Sequence, residues 1–430
     1  MSELARKSVE NFAARIATQA FSIVGAIVVA RTLGASGKGL FSYAGTVLAM
    51  LQMANAGQSA AIAWQYTQKN RSPMQLLRSM IAILSRIALP VALALVAVAL
   101  FVPGQRALLA VAAALPFALF AQSATGFFFA DSDVRMINLQ QILIGVVSVA
   151  IYIPLLVFAH AGLNALLAVW IAGYVGGAIY TAIRLRSYAR KTAGDDNAQV
   201  TREQLRYGSQ VSLNSAVQFL NFRIDVFIIM FMLGNTALGV YSIGIGIGEL
   251  LWQLSRPMAT AAFGAIARGT ESQAADATAT CMRHSFLLVA LASIAVFFIA
   301  PPLVPLVYGK AFAQAGLVAR VLLPGIIAYS MMPTLATFFG QQLGKPKIPL
   351  VISTVSTLLC AGITILAVPS MGIVGGAVAT SITYVLAFAA AAMYFMQRTR
   401  IAPLQLFKLT RRDLRPYRAL LQYKPTRRGV

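Results

Sequence analysis

Apolar positions in this chain do not alternate with polar ones; they run in long blocks with few interruptions. A bilayer core of ~30 Å takes ~20 apolar residues in a helix, and on that rule the pattern predicts twelve spans. The first six lie near 12–33, 39–66, 80–102, 107–130, 136–159 and 163–184. A polar stretch over 185–204 interrupts them, and six more follow near 206–233, 236–266, 284–307, 314–341, 347–369 and 372–396. Membrane barrel strands would show ~10-residue segments of alternating polarity, which this pattern lacks. The first apolar block reads as a full span rather than a cleavable leader, because no small-residue cleavage site accompanies it.

Composition sharpens the picture. Of 430 residues, 59% are hydrophobic and 11% are charged, against ~25% charged in soluble domains. The chain cannot clothe itself in a water-facing surface. Lys and Arg number 35 and Asp and Glu 12, a net charge of +23. In a soluble protein that excess would suggest nucleic acid; in an apolar chain it marks the cytoplasmic loops, and no nucleic-acid partner is expected. With the N-terminus inside, twenty-six Lys and Arg fall on the cytoplasmic side and four (Arg31, Lys38, Arg106 and Lys310) on the other. Both termini are therefore expected in the cytoplasm. Cys281 and Cys360 are far apart with no CxxC or His partner, so neither a disulfide framework nor a metal site is indicated.

The two halves of the pattern repeat. Leu33-Gly34, Gly39 and Phe41-Ser42 return 200 positions later as Leu233-Gly234, Gly239 and Tyr241-Ser242. Leu115-Pro116 answers Leu323-Pro324, and Gly162-Leu163 answers Gly372-Ile373. The expected fold is all-α and integral to the membrane, with twelve transmembrane helices in two pseudo-symmetric six-helix bundles around a central cavity. Residues 1–190 would form the first bundle, 191–204 a cytoplasmic linker, and 205–397 the second bundle. Residues 398–430 would form a basic tail, amphipathic over Ile401–Leu421 and resting on anionic lipid.

Polar residues inside the spans outline candidate chemistry. Span seven carries Gln210, Asn214, Gln218, Asn221 and Asp225 at steps of 4, 4, 3 and 4, one helix face about 22 Å long. Span eight carries Glu249, Gln253, Arg256 and Thr260, span one Asn11 and Arg15, and span two Gln52, Asn55 and Ser59. These are the first two spans of each repeat, so the stripes follow the pseudo-symmetry. Arg15 and Arg256 could grip an anionic headgroup such as a pyrophosphate through charge-assisted, bidentate bonds. The amides Gln52, Asn55, Gln210, Asn214, Gln218, Asn221 and Gln253 would hydrogen-bond polar cargo. Asp225 and Glu249 are the two acids inside the spans, and so the candidate carriers of a coupling proton or sodium ion. No cofactor is expected. Gly34-Ala-Ser-Gly-Lys-Gly lacks the spacing of a phosphate loop, and no loop is long enough for an extracytoplasmic catalytic domain, so an enzyme is not expected.

Several segments bear a family likeness. Arg31-Thr-Leu-Gly-Ala-Ser-Gly-Lys-Gly-Leu-Phe-Ser-Tyr resembles the motif after span one of polysaccharide repeat-unit (Wzx-type) flippases. Asp225 through Ser242 resembles their hairpin of spans seven and eight; Leu343-Gly-Lys-Pro-Lys and Pro369-Ser-Met-Gly-Ile-Val-Gly-Gly-Ala resemble later signatures. The resemblance implies the multidrug/oligosaccharidyl-lipid/polysaccharide exporter fold. It also implies an undecaprenyl-pyrophosphate-linked oligosaccharide as cargo, carried across a bacterial inner membrane beside membrane lipids and other polysaccharide-assembly proteins. Related lipid II flippases use cavity arginines, a role open here to Arg15 and Arg256. They also carry two further C-terminal helices, absent from this pattern, which argues against lipid II as the cargo. Two rival functions remain at this point: a cation-coupled multidrug exporter of the same fold, and a membrane polysaccharide polymerase or ligase.

Overall fold

The computed structural model describes residues 3–131, 133–189, 197–403 and 406, and every regular element among them is helical. Residue 190, residues 191–196 of the expected linker and the expected amphipathic tail beyond Leu406 lie outside the described residues, as do the side chains of Asn11 and Arg15. The elements are α1 (Glu3–Gln68), α2 (Pro73–Phe101), α3 (Leu108–Ala130), α4 (Val134–Ile142), α5 (Ser148–Val157), α6 (Leu163–Ala189) and α7 (Asn197–Gln253). They continue with α8 (Arg256–Arg268), α9 (Glu271–Tyr308), α10 (Ala313–Tyr329), α11 (Met332–Thr337), α12 (Lys347–Met371) and α13 (Ile373–Thr399). Ten helical runs among the described residues are long and apolar enough to cross a membrane.

Two of those runs are each a pair of helices joined at a glycine. Gly34 breaks α1 with φ 67° and ψ −171°, and Gly234 breaks α7 with φ 80° and ψ −172°. Positive φ at an extended ψ is nearly closed to residues with a Cβ, so glycine at both places is a backbone requirement. The two breaks sit 200 residues apart, at the offset of the sequence repeat, with nearly identical torsions. The third repeat match is looser. Gly372 takes φ 57°, whereas near Gly162 the positive φ of 49° falls on His160.

The surface is inverted relative to a soluble protein. Leu366 is 80% exposed, Leu306 72% and Leu100 68%, and such side chains within long apolar helices belong against lipid. The protein is a multi-pass membrane protein. Its interior is tightly packed, with Phe127, Phe338 and Phe395 fully enclosed.

The chain forms two compact units. The first runs to Ser242 and includes Val304–Ala313; the second takes Ile243–Leu303 and resumes at Gln314. In the first, Val29, Val149, Tyr152, Leu156 and Leu166 form one apolar cluster. There Arg31 also closes onto the end of α9, its Nε donating to the Val307 carbonyl at 2.8 Å and its Nη2 to that of Leu306. In the second, Met282, Leu335, Phe338, Phe339 and Phe395 are buried together.

Candidate functional site

The face of α7 predicted from spacing is present in the first unit. Gln210, Asn214 and Gln218 are exposed, and Asn221 and Asp225 are buried. An amide exposed inside a membrane span needs water or a polar ligand beside it, because hydrocarbon accepts no hydrogen bonds. The exposed part of the stripe is thus a polar track along a membrane-spanning helix. Asp225, at its far end, is differently placed. Its Oδ2 accepts the Tyr241 hydroxyl at 2.5 Å and its Oδ1 accepts the Val226 backbone N–H at 2.8 Å. Hydrogen bonds of this length hold the carboxyl group firmly in one position.

On the second half of α1, Asn55 donates to Ser123 of α3 at 2.9 Å and is 5% exposed. Gln52 is half-buried, and its carbonyl accepts Gln122 Nε2 at 2.9 Å. Both positions help tie α1 to α3.

A second set of contacts, which spacing alone did not reveal, joins the same half of α1 to the start of α7. Gln204 Nε2 donates to Gln58 Oε1 at 3.1 Å, and Gln65 Nε2 to the Val200 carbonyl at 3.1 Å. The Gly57 N–H donates to Ser212 Oγ at 3.0 Å. Trp64 and Tyr207 stack with ring centroids 5.0 Å apart and planes 3° from parallel. Arg71 pairs with Glu203 at 3.5 Å. Glutamines in both spans were the available signal; only the fold shows that they face one another. Beside this seam, Tyr188 donates its hydroxyl to Asp131. Burial, reinforced by that carboxylate, raises its pKa above the ordinary tyrosine value.

In the second unit the expected stripe of span eight is interrupted. α7 ends at Gln253 and α8 begins at Arg256. Pro257 stands at the start of α8, where a missing N–H and a fixed φ are tolerated but continuation of the preceding helix is not. Between them Leu254 and Ser255 form a tightened turn, their N–H groups donating to the Leu251 and Trp252 carbonyls, which shifts the register that placed Glu249 and Arg256 on one face. Glu249 is half-buried; Gln253 and Arg256 are exposed. The Arg256 guanidinium lies over the Trp252 ring, 5.3 Å from its centroid. Trp252 is 5.8 Å from Tyr329, and Tyr329 is 4.4 Å from Tyr384, centroid to centroid. An aromatic row thus backs the guanidinium, a contact worth ~0.5–2 kcal/mol. Among the described residues, no three His, Cys, Asp or Glu side chains gather as a metal site would require.

The family model described as polysaccharide biosynthesis protein matches residues 4–270, more than half the chain. The chain belongs to that family. The chain also shares its fold with solved transporters. One is described as a multidrug resistance MATE family transporter of the MOP superfamily in an inward-facing conformation. It is 14% identical, with a TM-score of 0.73 over 89% of this chain and 94% of that one. Another is the lipid II flippase MurJ, inward closed, 13% identical, with a TM-score of 0.72 over 97% and 93% of the two chains. A third, a MOP superfamily transporter from Pyrococcus furiosus, is 14% identical with a TM-score of 0.62 over 92% and 95%. At these identities the likeness establishes the fold of that superfamily. No curated protein sequence matches the chain.

Proposed function

We propose that this protein is a flippase. It would move undecaprenyl-pyrophosphate-linked oligosaccharide repeat units from the cytoplasmic to the periplasmic leaflet of a bacterial inner membrane. The observation that carries the reading is the exposed amide track Gln210, Asn214 and Gln218 on a membrane-spanning helix of a chain in this family. A glycan loses most of its hydrogen bonds in hydrocarbon, and such a track replaces them during crossing. Gln52 and Gln253 extend the polar set, and Arg15 and Arg256 serve the pyrophosphate; Asn55 and Asn221, both buried, support it from behind. The aromatic row behind Arg256 supports this role, since it fixes the guanidinium's plane while leaving its N–H groups for a ligand.

In this reading the two runs broken at Gly34 and Gly234 each count as two passes, giving twelve, with residues 1–190 and 205–397 as the repeats. The basic ends of the spans face the cytoplasm together with both termini. The polar track opens alternately to each side, driven by a proton or sodium gradient through Glu249 or Asp225. The prenyl chain and surrounding lipids are the other partners, with further polysaccharide-assembly proteins supplying and consuming the cargo. No chemical step on the cargo is assigned to the chain.

The test is reconstitution in liposomes with a pyrophosphate-linked oligosaccharide lipid, reading glycan accessibility to an external lectin over time. Protein-dependent appearance of the glycan outside supports the reading. Movement of a lipophilic cationic dye without glycolipid movement overturns it in favour of a multidrug exporter.

A further inference from the structure

An apolar groove of about 420 Å³ indents the first unit, within the ~300–1,000 Å³ range of small-molecule sites. Leu51 of α1, Ile87 of α2, Leu115 and Leu119 of α3, and Leu205 and Leu213 of α7 supply its walls. Polar side chains also reach it, but each is already engaged by protein. Asn55 donates to Ser123, Gln58 accepts from Gln204, Ser212 accepts from Gly57, and Ser209 donates to the Arg206 carbonyl. What remains for a ligand is hydrocarbon surface.

The mouth opens sideways. Ile87 and Leu205 are each 39% exposed and Leu213 is 66% exposed, and all three lie within membrane-crossing helices. The groove is therefore continuous with the lipid-facing surface. Along α7 its lining runs from Leu205 to Ala216, a rise of about 16 Å, which is close to half of the ~30 Å hydrocarbon core. It spans one leaflet.

Charge fixes which lipid suits it. Arg202 precedes Leu205 by three residues and Arg206 precedes Ser209 by three, so both share the groove face of α7 at its starting end. Arg86 adjoins Ile87 on α2, and all three arginines are exposed. Cations at one end of a leaflet-long apolar slot complement a lipid with an anionic headgroup. A polyprenyl phosphate brings one chain behind one phosphate, whereas a phospholipid must seat two acyl chains, so competition between the two lipids decides the occupant.

We propose that this groove holds the phosphate-proximal isoprene units of the cargo's polyprenyl tail in the leaflet where the cargo is loaded, with the phosphate toward Arg202 and Arg206. The proposal rests on the flippase reading above and deepens it: the tail is gripped by the first unit instead of being left free in the bilayer. Holding it there would keep the headgroup near one entry point while the polar track accepts the glycan.

The test uses the full chain in nanodiscs and a sugar-free, photoreactive polyprenyl monophosphate as the probe. Labelling is expected at groove residues of α2 and α7, competed by unlabelled polyprenyl phosphate and not by phosphatidylglycerol. Ala216→Trp, which fills the slot, should reduce labelling by roughly tenfold, the effect of ~1.4 kcal/mol. Leu213→Gln, at the exposed mouth where folding is least at risk, should reduce it in the same direction. Arg202→Ala with Arg206→Ala should weaken the phosphate probe but not a photoreactive polyprenol. Labelling elsewhere on the chain, or equal competition by phosphatidylglycerol, overturns the proposal. Glycolipid transport is measured separately. Lost labelling with unchanged transport overturns the groove's role and spares the flippase reading. Groove labelling in a protein that moves no glycolipid overturns the flippase reading while the groove stands as a polyprenyl site.

Discussion

Ser42 donates its hydroxyl to Ser242 at 3.2 Å, and the two residues stand 200 positions apart in the chain. The crossing beside them is reciprocal. A Cβ on Gly39 would lie 1.8 Å from the Asn235 carbonyl oxygen, and one on Gly239 would lie 1.9 Å from that of Ala35. Residue i meeting j while j's counterpart meets i's is the signature of contact across a two-fold axis. Here the axis is internal, and it relates the segments just after Gly34 and Gly234. The sequence repeat and the tertiary contact therefore describe one feature.

The first prediction uses that contact. In a Ser42→Cys/Ser242→Cys pair, side chains that now touch should fall within the ~3.5–4.5 Å Cβ separation of a disulfide. Cys281 and Cys360 are buried and should not compete. The expected outcome is spontaneous cross-linking, read as a gel shift of protein cut between the halves and reversed by reductant. Glycolipid transport should stop while the bond is intact. Free thiols after mild oxidation would show that the crossing is not formed in the membrane.

The glycines at the crossing should tolerate nothing larger. Gly39→Ala places a methyl against backbone, which cannot move aside as a side chain can, so a loss of about 1–3 kcal/mol is expected. Gly45→Ala is the matched control, since a Cβ there meets nothing within 4 Å, and it should be near neutral. Thermal melting in detergent, followed by size-exclusion fluorescence, compares them. Equal melting temperatures would mean that the two strands of the crossing are not in contact in solution.

The all-helical apolar runs, the repeat and the α7 stripe were legible because each depends on local periodicity or on a fixed offset; the described residues form ten such runs where the pattern predicts twelve spans. Gly34 and Gly234 were visible as matched glycines, and their near-identical torsions follow from that identity. The break before Arg256 was legible in principle, since Pro257 announces it, but the apolar run continues through it and masks the signal. What sequence could not supply was tertiary pairing. Asn55 reads as a cavity amide by spacing, yet it faces Ser123 of α3, and Gln58 and Gln204 meet across 146 positions. The Trp252–Tyr329–Tyr384 row joins three helices, and no pattern along one helix encodes it.

Tyr188 gives a prediction in pH. Its pKa is raised in the folded protein by burial first and by the Asp131 carboxylate next. A group with a raised folded pKa contributes stability that is complete below the unfolded value, ~10 for tyrosine, and that is lost as pH climbs through the folded value. Wild type should thus exceed Tyr188→Phe in melting temperature by a constant margin from neutral pH to about 10. Above that the margin should shrink. A margin that stays constant through strongly alkaline pH would show that the hydroxyl is not held by Asp131.

The two intramembrane acids should separate by role. Asp225 is gripped by the Tyr241 hydroxyl and the Val226 N–H, so its carboxylate serves a fixed structure. Asp225→Ala removes this bond to the buried Tyr241 hydroxyl, at an expected cost of about 1–3 kcal/mol. Tyr241→Phe should cost a similar amount, and the double variant should be clearly less than additive, because both changes remove the same bond. Glu249, half-buried and close to the break before α8, is the better candidate for the coupling group. Glu249→Gln should therefore abolish the response of transport to an imposed proton or sodium gradient while leaving the melting temperature nearly unchanged. Asp225→Asn, which can still accept from Tyr241, should keep the gradient response. If Glu249→Gln responds to the gradient as wild type does while Asp225→Asn does not, the assignments exchange, and the Asp225–Tyr241 pair becomes the moving element.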